Sequence, residues 1–315
     1  MDKNGFIKYL ERKDLAPITI QNQVALMERF FTKTKKEDVQ ITKPDILKYL
    51  EYLKNSRKQQ NKTRRLHLNA LKHYFTFLCQ EEIIDQNPCL LLKIRGIKRK
   101  VLYKIYTPEE LDVLFDNFYL LFVRNYDDSH LRHPAQRLYM ALIRERNALI
   151  VSILLNQGTS TSEIEKIETG DIDLTKAILK IRGGKRSNDR TLPLKAKQIG
   201  TLMYYLQNTR PQLLEYQTAE TDKLFLSLPA NGKKTMDNDL AMGIFTPITA
   251  QLKTIDKQFI NFQQIRASVI THWIKTQGLR KAQYLAGHKH VISTEEYLPN
   301  NLDNLTEDIN KLHPF

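Results

Sequence analysis

Cysteine is nearly absent from this 315-residue chain: Cys79 and Cys89 are the only two. Two cysteines cannot staple a disulfide scaffold, and their scarcity suits a reducing cytosol. Glycine and proline, at 11 each, are too few for collagen-like or proline-rich architectures. Long apolar runs are missing as well. The most apolar stretch, Ala148 to Leu155, is far short of the roughly 20 residues that cross a bilayer. Residues 1–8 contain no apolar signal-peptide segment, so a cytoplasmic protein without a membrane partner is expected. No Gly-x-Gly-x-x-Gly or Walker-type loop occurs, which argues against a nucleotide site. His288 and His290 form a His-x-His pair, but no Cys or carboxylate joins them at ligand spacing, so neither a metal nor another cofactor is expected.

What is abundant is positive charge. The chain holds 49 Lys and Arg against 35 Asp and Glu, a net +14. Residues 1–100 carry 22 basic and 11 acidic side chains, whereas residues 101–315 carry 27 and 24. A basic first third on a nearly neutral remainder points to a polyanion, most simply nucleic acid. The 41% hydrophobic content excludes wholesale disorder, and the length suggests two domains.

Helical periodicity dominates the first hundred residues. Ile20, Val24, Met27 and Phe31 recur on one helical face. Thr42, Pro44 and Asp45 mark a helix start, followed by Ile46, Tyr49, Leu50 and Leu53 on one side. A third helix is predicted over residues 61–80, with Leu66, Leu68, Leu71, Tyr74, Phe75, Phe77 and Leu78 as its packed arc. The opposite arc, Lys58, Lys62, Arg65, Asn69 and Lys72, reads as a cationic ridge. Lys54 to Arg65 holds six basic residues and no acid, unlike a solubility face that interleaves both signs. Residues 93–100 add five positive charges, among them Lys98, Arg99 and Lys100, and read as an extended basic linker along phosphates.

Beyond it, Thr107-Pro108-Glu109-Glu110 is a capping box with proline at the first helical position. Helices are expected through Leu121 and from Pro134 to Asn156, with a loop over Arg124 to His133. Ile178 to Ile181 and Arg190 to Leu194 read as a β-hairpin with a basic tip. Further helices are expected at residues 195–208, 237–252, 262–276 and 279–286, and Leu302, Leu305, Ile309 and Leu312 form a short amphipathic tail.

The chain contains Gln263-Gln264-Ile265-Arg266, then Leu285-Ala286-Gly287-His288, and Tyr297 nine residues on. This order resembles the tyrosine recombinase (phage integrase) family, particularly its Xer-like site-specific recombinases. There the signature is His-x-x-Arg, a Leu-Gly-His box and a tyrosine nine residues later. Gly184-Lys185 and Arg190-Thr191-Leu192-Pro193-Leu194 resemble the family's hairpin lysine and following strand. The resemblance implies a mainly α fold: a helical, SAM-like core-binding domain at 1–92, a basic linker at 93–104, an α-rich catalytic domain with a small antiparallel β-sheet at 105–297, and a tail helix at 298–315. It implies double-stranded DNA as partner, with the two domains clamping the duplex from opposite sides. It further implies a homo-tetramer on DNA held by the tail helix, or a hetero-assembly with another recombinase, and a nucleoid-associated location.

By the same resemblance Tyr297 attacks a backbone phosphorus to give a 3′-phosphotyrosyl bond, and the 5′-hydroxyl leaves. The ester energy stays in the protein–DNA link, so no cofactor is needed. Arg266 stabilises the growing phosphoryl charge. Lys185 protonates the leaving oxygen, and His288 binds the scissile phosphate or takes the phenol proton. Two positions depart from the pattern: Ser160 stands where the first arginine is expected, and Gln263 where the first histidine is expected. Gln263 still offers a neutral hydrogen bond and Ser160 a hydroxyl. Lys166, Arg186 and Arg190 are the cations available to replace the missing one. A catalytically impaired DNA-binding relative with an architectural or regulatory role is the alternative reading, and a topoisomerase-like nicking enzyme a third.

Overall fold

The computed structural model describes residues 1–96, 103–184, 187–218, 220–227 and 243–298. The chain divides into two compact units, residues 1–101 and 102–315.

The first unit is helical. Helix α1 (Lys3–Arg12) starts at Asp2, whose carboxylate accepts from the Gly5 amide. Helix α2 (Pro17–Thr34) opens with proline at its start. Helix α3 (Lys43–Asn55) begins at the Thr42 start expected from the sequence, where the Thr42 amide and hydroxyl both donate to Asp45 Oδ2, and helix α4 spans Asn61–Gln80. Their apolar faces share one core, centred on Phe6, Met27, Phe30, Ile46, Tyr74 and Phe75. Three details correct the helical-wheel reading. Phe30 fills the core while Phe31 is half-buried against the edge of Tyr74. Leu66 is 55% exposed, and the buried place beside it goes to His67, whose Nδ1 meets the Tyr49 hydroxyl at 3.0 Å. Lys58 precedes α4 and has a left-handed backbone (φ 48°) instead of extending the helix.

The second unit is built around helix α6 (Pro134–Gln157). Its residues Arg146 to Leu155 are all buried, so the run that looked most apolar in sequence is covered on every side. Helix α5 (Pro108–Tyr119) packs against it and starts with the expected Thr107–Glu110 capping box. A single π-turn, Leu120–Arg124, extends α5. Helix α7 (Thr161–Ile164) is one turn long. Three antiparallel strands follow in order: β1 (Ile172–Asp173), β2 (Ile178–Ile181) and β3 (Arg190–Pro193). In the β2–β3 register Ile181 pairs with Arg190 at the loop end of the hairpin. Strand β1 escapes sequence reading because two residues carry no alternation. Helices α8 (Ala196–Tyr204), α9 (Arg210–Leu214) and α10 (Phe245–Ile255) come next. The expected helix at 237–252 thus lies partly outside the described residues. Helix α11 (Phe262–Ala286) is interrupted at Gly278 (φ 79°), between the two segments the sequence suggested. The short helix α12 (Ile292–Glu295) carries the chain to Tyr297. Residues 302–312 of the amphipathic tail lie outside the described residues.

Candidate active site

Four segments of the second unit converge on one carboxylate, Glu163. The first is the start of α7. Ser160 is its N-cap: the Ser160 amide and hydroxyl donate to Glu163 Oε2 (2.8 and 3.0 Å), and the Glu163 amide donates back to Ser160 Oγ at 3.3 Å. Ser-x-x-Glu is a capping box, so the same four residues that begin the helix fix the carboxylate. The serine hydroxyl is thereby engaged within its own turn.

The second segment is α11, which supplies Arg266. Its Nη1 donates to Gly158 O (2.6 Å) and to Glu163 Oε2 (3.1 Å), and its Nη2 donates to Ala286 O (2.8 Å). One guanidinium thus fastens the C-terminal ends of α6 and α11 to α7. The third is β3, whose first residue, Arg190, donates from Nη1 to Glu163 Oε1 at 2.7 Å. Burial opposes the charged form of Glu163, but Arg190 and Arg266 outweigh it and hold the carboxyl at about 2.

The fourth segment runs from Gly287 to Tyr297. Gly287 ends α11 at φ 72°, and a Cβ there would fall 2.6 Å from Arg190 Nη1. Only glycine lets the box and the strand approach this closely. The hairpin is fastened to the same box: the Asn188 amide donates to Gly287 O at 2.9 Å, and Ser187 bridges to His288. His288 Nδ1 pairs with Thr294 Oγ1 at 2.9 Å. Burial first, then the charges of Arg266 and Arg190, push the imidazole down to about 4, so it is neutral near pH 7. The Tyr297 ring lies nearly parallel to it, 14° between planes and 5.8 Å between centroids. The Gln263 amide, in the first turn of α11, donates to Tyr297 Oη at 3.3 Å.

Arg266, His288, Gln263 and Tyr297 therefore come together as the sequence suggested, with Ser160 beside them. Lys185 and Arg186 lie outside the described residues. Lys166 is exposed. Sequence reasoning missed Glu163 as a site residue, although the Ser-x-x-Glu spacing was visible, and it left Arg190 as one of three possible cations. Among the described residues no three His, Cys, Asp or Glu side chains gather as a metal cluster.

In the first unit Lys62, Arg65 and Asn69 are exposed along α4, Lys72 is half-buried, and Lys58 is exposed ahead of the helix. Arg64 turns inward, with Nε donating to Leu50 O at 3.2 Å. Arg29 and Lys33, which the sequence reading passed over, line a groove of about 770 Å³ with Arg57, Tyr49 and Tyr52. Lys98, Arg99 and Lys100 lie outside the described residues.

The profile of the phage integrase family matches residues 132–303, more than half of the chain. The chain belongs to the phage integrase family. A second profile, the N-terminal SAM-like domain of phage integrases, matches residues 4–85. Among curated relatives, the tyrosine recombinase XerC of Anoxybacillus flavithermus is 27% identical over 322 residues, covering 99% of this chain and 97% of that protein. The tyrosine recombinase XerA of Pyrococcus furiosus is 24% identical, covering 97% and 92%. Two solved structures share the integrase fold at a TM-score of 0.62. One is the Tn1549 transposon integrase in complex with a circular intermediate DNA, at 14% identity, covering 94% of each chain. The other is the XerH site-specific recombinase bound to palindromic difH substrate in a post-cleavage complex, at 17% identity, covering 96% of this chain and 82% of that one.

Proposed function

We propose that this integrase is a site-specific DNA recombinase that breaks and rejoins strands through Tyr297. The observation that carries the reading is the placement of the Tyr297 hydroxyl, held by Gln263 beside a neutral His288 and two buried guanidiniums. Tyr297 Oη forms a bond to the scissile phosphorus, and the bond from phosphorus to the 5′-oxygen breaks. The phenol proton goes to His288 or solvent, and the 5′-oxygen departs as a hydroxyl with a proton from Lys185. Rejoining reverses the steps with a 5′-hydroxyl from another strand.

Arg266 has three of its five N–H donors committed to the protein, so it meets the phosphate with its geometry already set. His288, kept neutral, is a weak base at a pKa of about 4 and meets the phosphate as a hydrogen-bonding imidazole, holding a proton only in passing. Gln263 cannot ionise, so its hydrogen bond to the tyrosine persists at any working pH.

The duplex partner is double-stranded DNA. The exposed cations Lys58, Lys62 and Arg65, with Lys72 and the linker residues Lys98, Arg99 and Lys100, contact its phosphates. Assembly into a tetramer through the tail helix, or with another recombinase, completes the reading, and a cytoplasmic, nucleoid-associated protein fits it. No described helix is long and apolar enough to cross a membrane.

The test is a selection. A library of singly nicked duplexes with randomised sequence is incubated with the protein, and SDS-resistant protein–DNA adducts are recovered and sequenced. An enriched site with wild type, and no adduct with Tyr297→Phe, is the expected result. Failure of wild type to form an adduct on any duplex defeats the proposal.

A further inference from the structure

We infer that Arg190 is a second phosphate-binding arginine of this centre, supplying the charge that Ser160 does not. The inference rests on the cleavage reading above and assigns it one more catalytic residue.

Its position is the first argument. Arg190 and Ser160 are bonded to the two oxygens of the same carboxylate, Glu163. Arg190 also lies against Gly287, and its charge helps to keep His288 neutral. The side chain therefore sits among the groups that surround the reacting phosphate, on the side of Glu163 opposite Arg266.

The second argument is what its donors do. The Arg190 side chain is fully buried, and its Nε and Nη2 have no hydrogen-bond partner among the described residues. The Nε hydrogen and the neighbouring Nη2 hydrogen project from one edge of the guanidinium, the edge that grips two oxygens of a phosphate in parallel. Folded proteins rarely leave buried donors unpaired, and a charged one is especially costly. Two non-bridging phosphate oxygens fit the vacant edge. It is closed to solvent, so it becomes accessible only as DNA seats.

Two other described arginines of this unit are engaged elsewhere. Arg182 is bound to Glu168 and Asp171, and Lys166 is exposed. Buried Arg146 is spent on Leu226 O and the Asn147 side chain.

The experiment uses the nicked duplex recovered by the selection and the same duplex with a methylphosphonate at the scissile position. The methyl group replaces a charged oxygen, so a residue that acts by neutralising charge becomes dispensable. Removal of one such donor costs about 10²–10³-fold in rate. Arg190→Ala is expected to lose adduct formation by that factor on the phosphodiester and by less than about tenfold on the methylphosphonate. Arg190→Lys keeps a cation for Glu163 but lacks the two-pronged edge. It guards against a misfolded alanine variant and is expected to show the same substrate dependence, with a smaller loss. Arg182→Ala removes an exposed arginine and is expected to change neither rate. Equal losses on both substrates in folded Arg190 variants, or a loss below about threefold on the phosphodiester, overturn the inference. Absence of any adduct with wild type is a different result, which removes the cleavage reading and this inference with it.

Discussion

At the scale of single residues, the site is governed by charges that burial forces into contact. The His288 imidazole, pushed down to about 4, is expected to show no protonation by NMR between pH 8 and about 5.5. Replacing Arg190 by Gln removes one of the charges that lower it, so the titration moves upward. The sign for stability follows. Between about pH 6.5 and 4 the unfolded chain gains a proton that folded His288 refuses, and stability falls on acidification. Between about pH 4.5 and 2 the same holds for Glu163. Urea midpoints measured from pH 7 downward should decline, and less steeply through the first window for His288→Gln. Ser160→Ala removes a helix cap and should lower stability by roughly 0.5–2 kcal/mol in urea unfolding. Gly287→Ala meets both a positive φ and Arg190 Nη1 at 2.6 Å. It should cost about 1–3 kcal/mol in the same measurement and abolish adduct formation by displacing the arginine.

At the scale of elements, much was legible because the signals were local. Thr42–Asp45 and Thr107–Glu110 announced their helices by capping chemistry that depends on three-residue spacing alone. The arc on α4 was mostly visible for the same reason. It failed where tertiary partners decide: His67 is buried because Tyr49 offers it a hydrogen bond, and no periodicity encodes that partner. The site was legible as an order of residues, Arg266, His288 and Tyr297, and not as a network. Glu163 joins groups 27 and 103 positions away in the chain, beyond the reach of any local pattern. The hairpin strap is of that kind too. Gly183→Ala would place a Cβ within 2.5 Å of backbone atoms of Ser187 and Asn188. The neck of the hairpin must then open, and faster hydrogen exchange at the Asn188 amide would report the loosened bond to Gly287.

At the scale of the whole molecule, charge is the property that sequence conveys best, because it survives folding. The first hundred residues hold twice as many basic as acidic side chains. If about six to eight phosphates are neutralised, log K for duplex binding should fall with log salt at a slope of about −5 to −7. Fluorescence anisotropy between 50 and 200 mM salt measures it, and a flat response would contradict a phosphate-tracking interface. The contact between Gln263 and the Tyr297 hydroxyl carries a further consequence. On the proposed reading, nucleophile and phosphate-binding groups are assembled within one polypeptide. Mixing Tyr297→Phe chains with Arg266→Ala chains should therefore restore no cutting, since neither partner can lend the other its missing part.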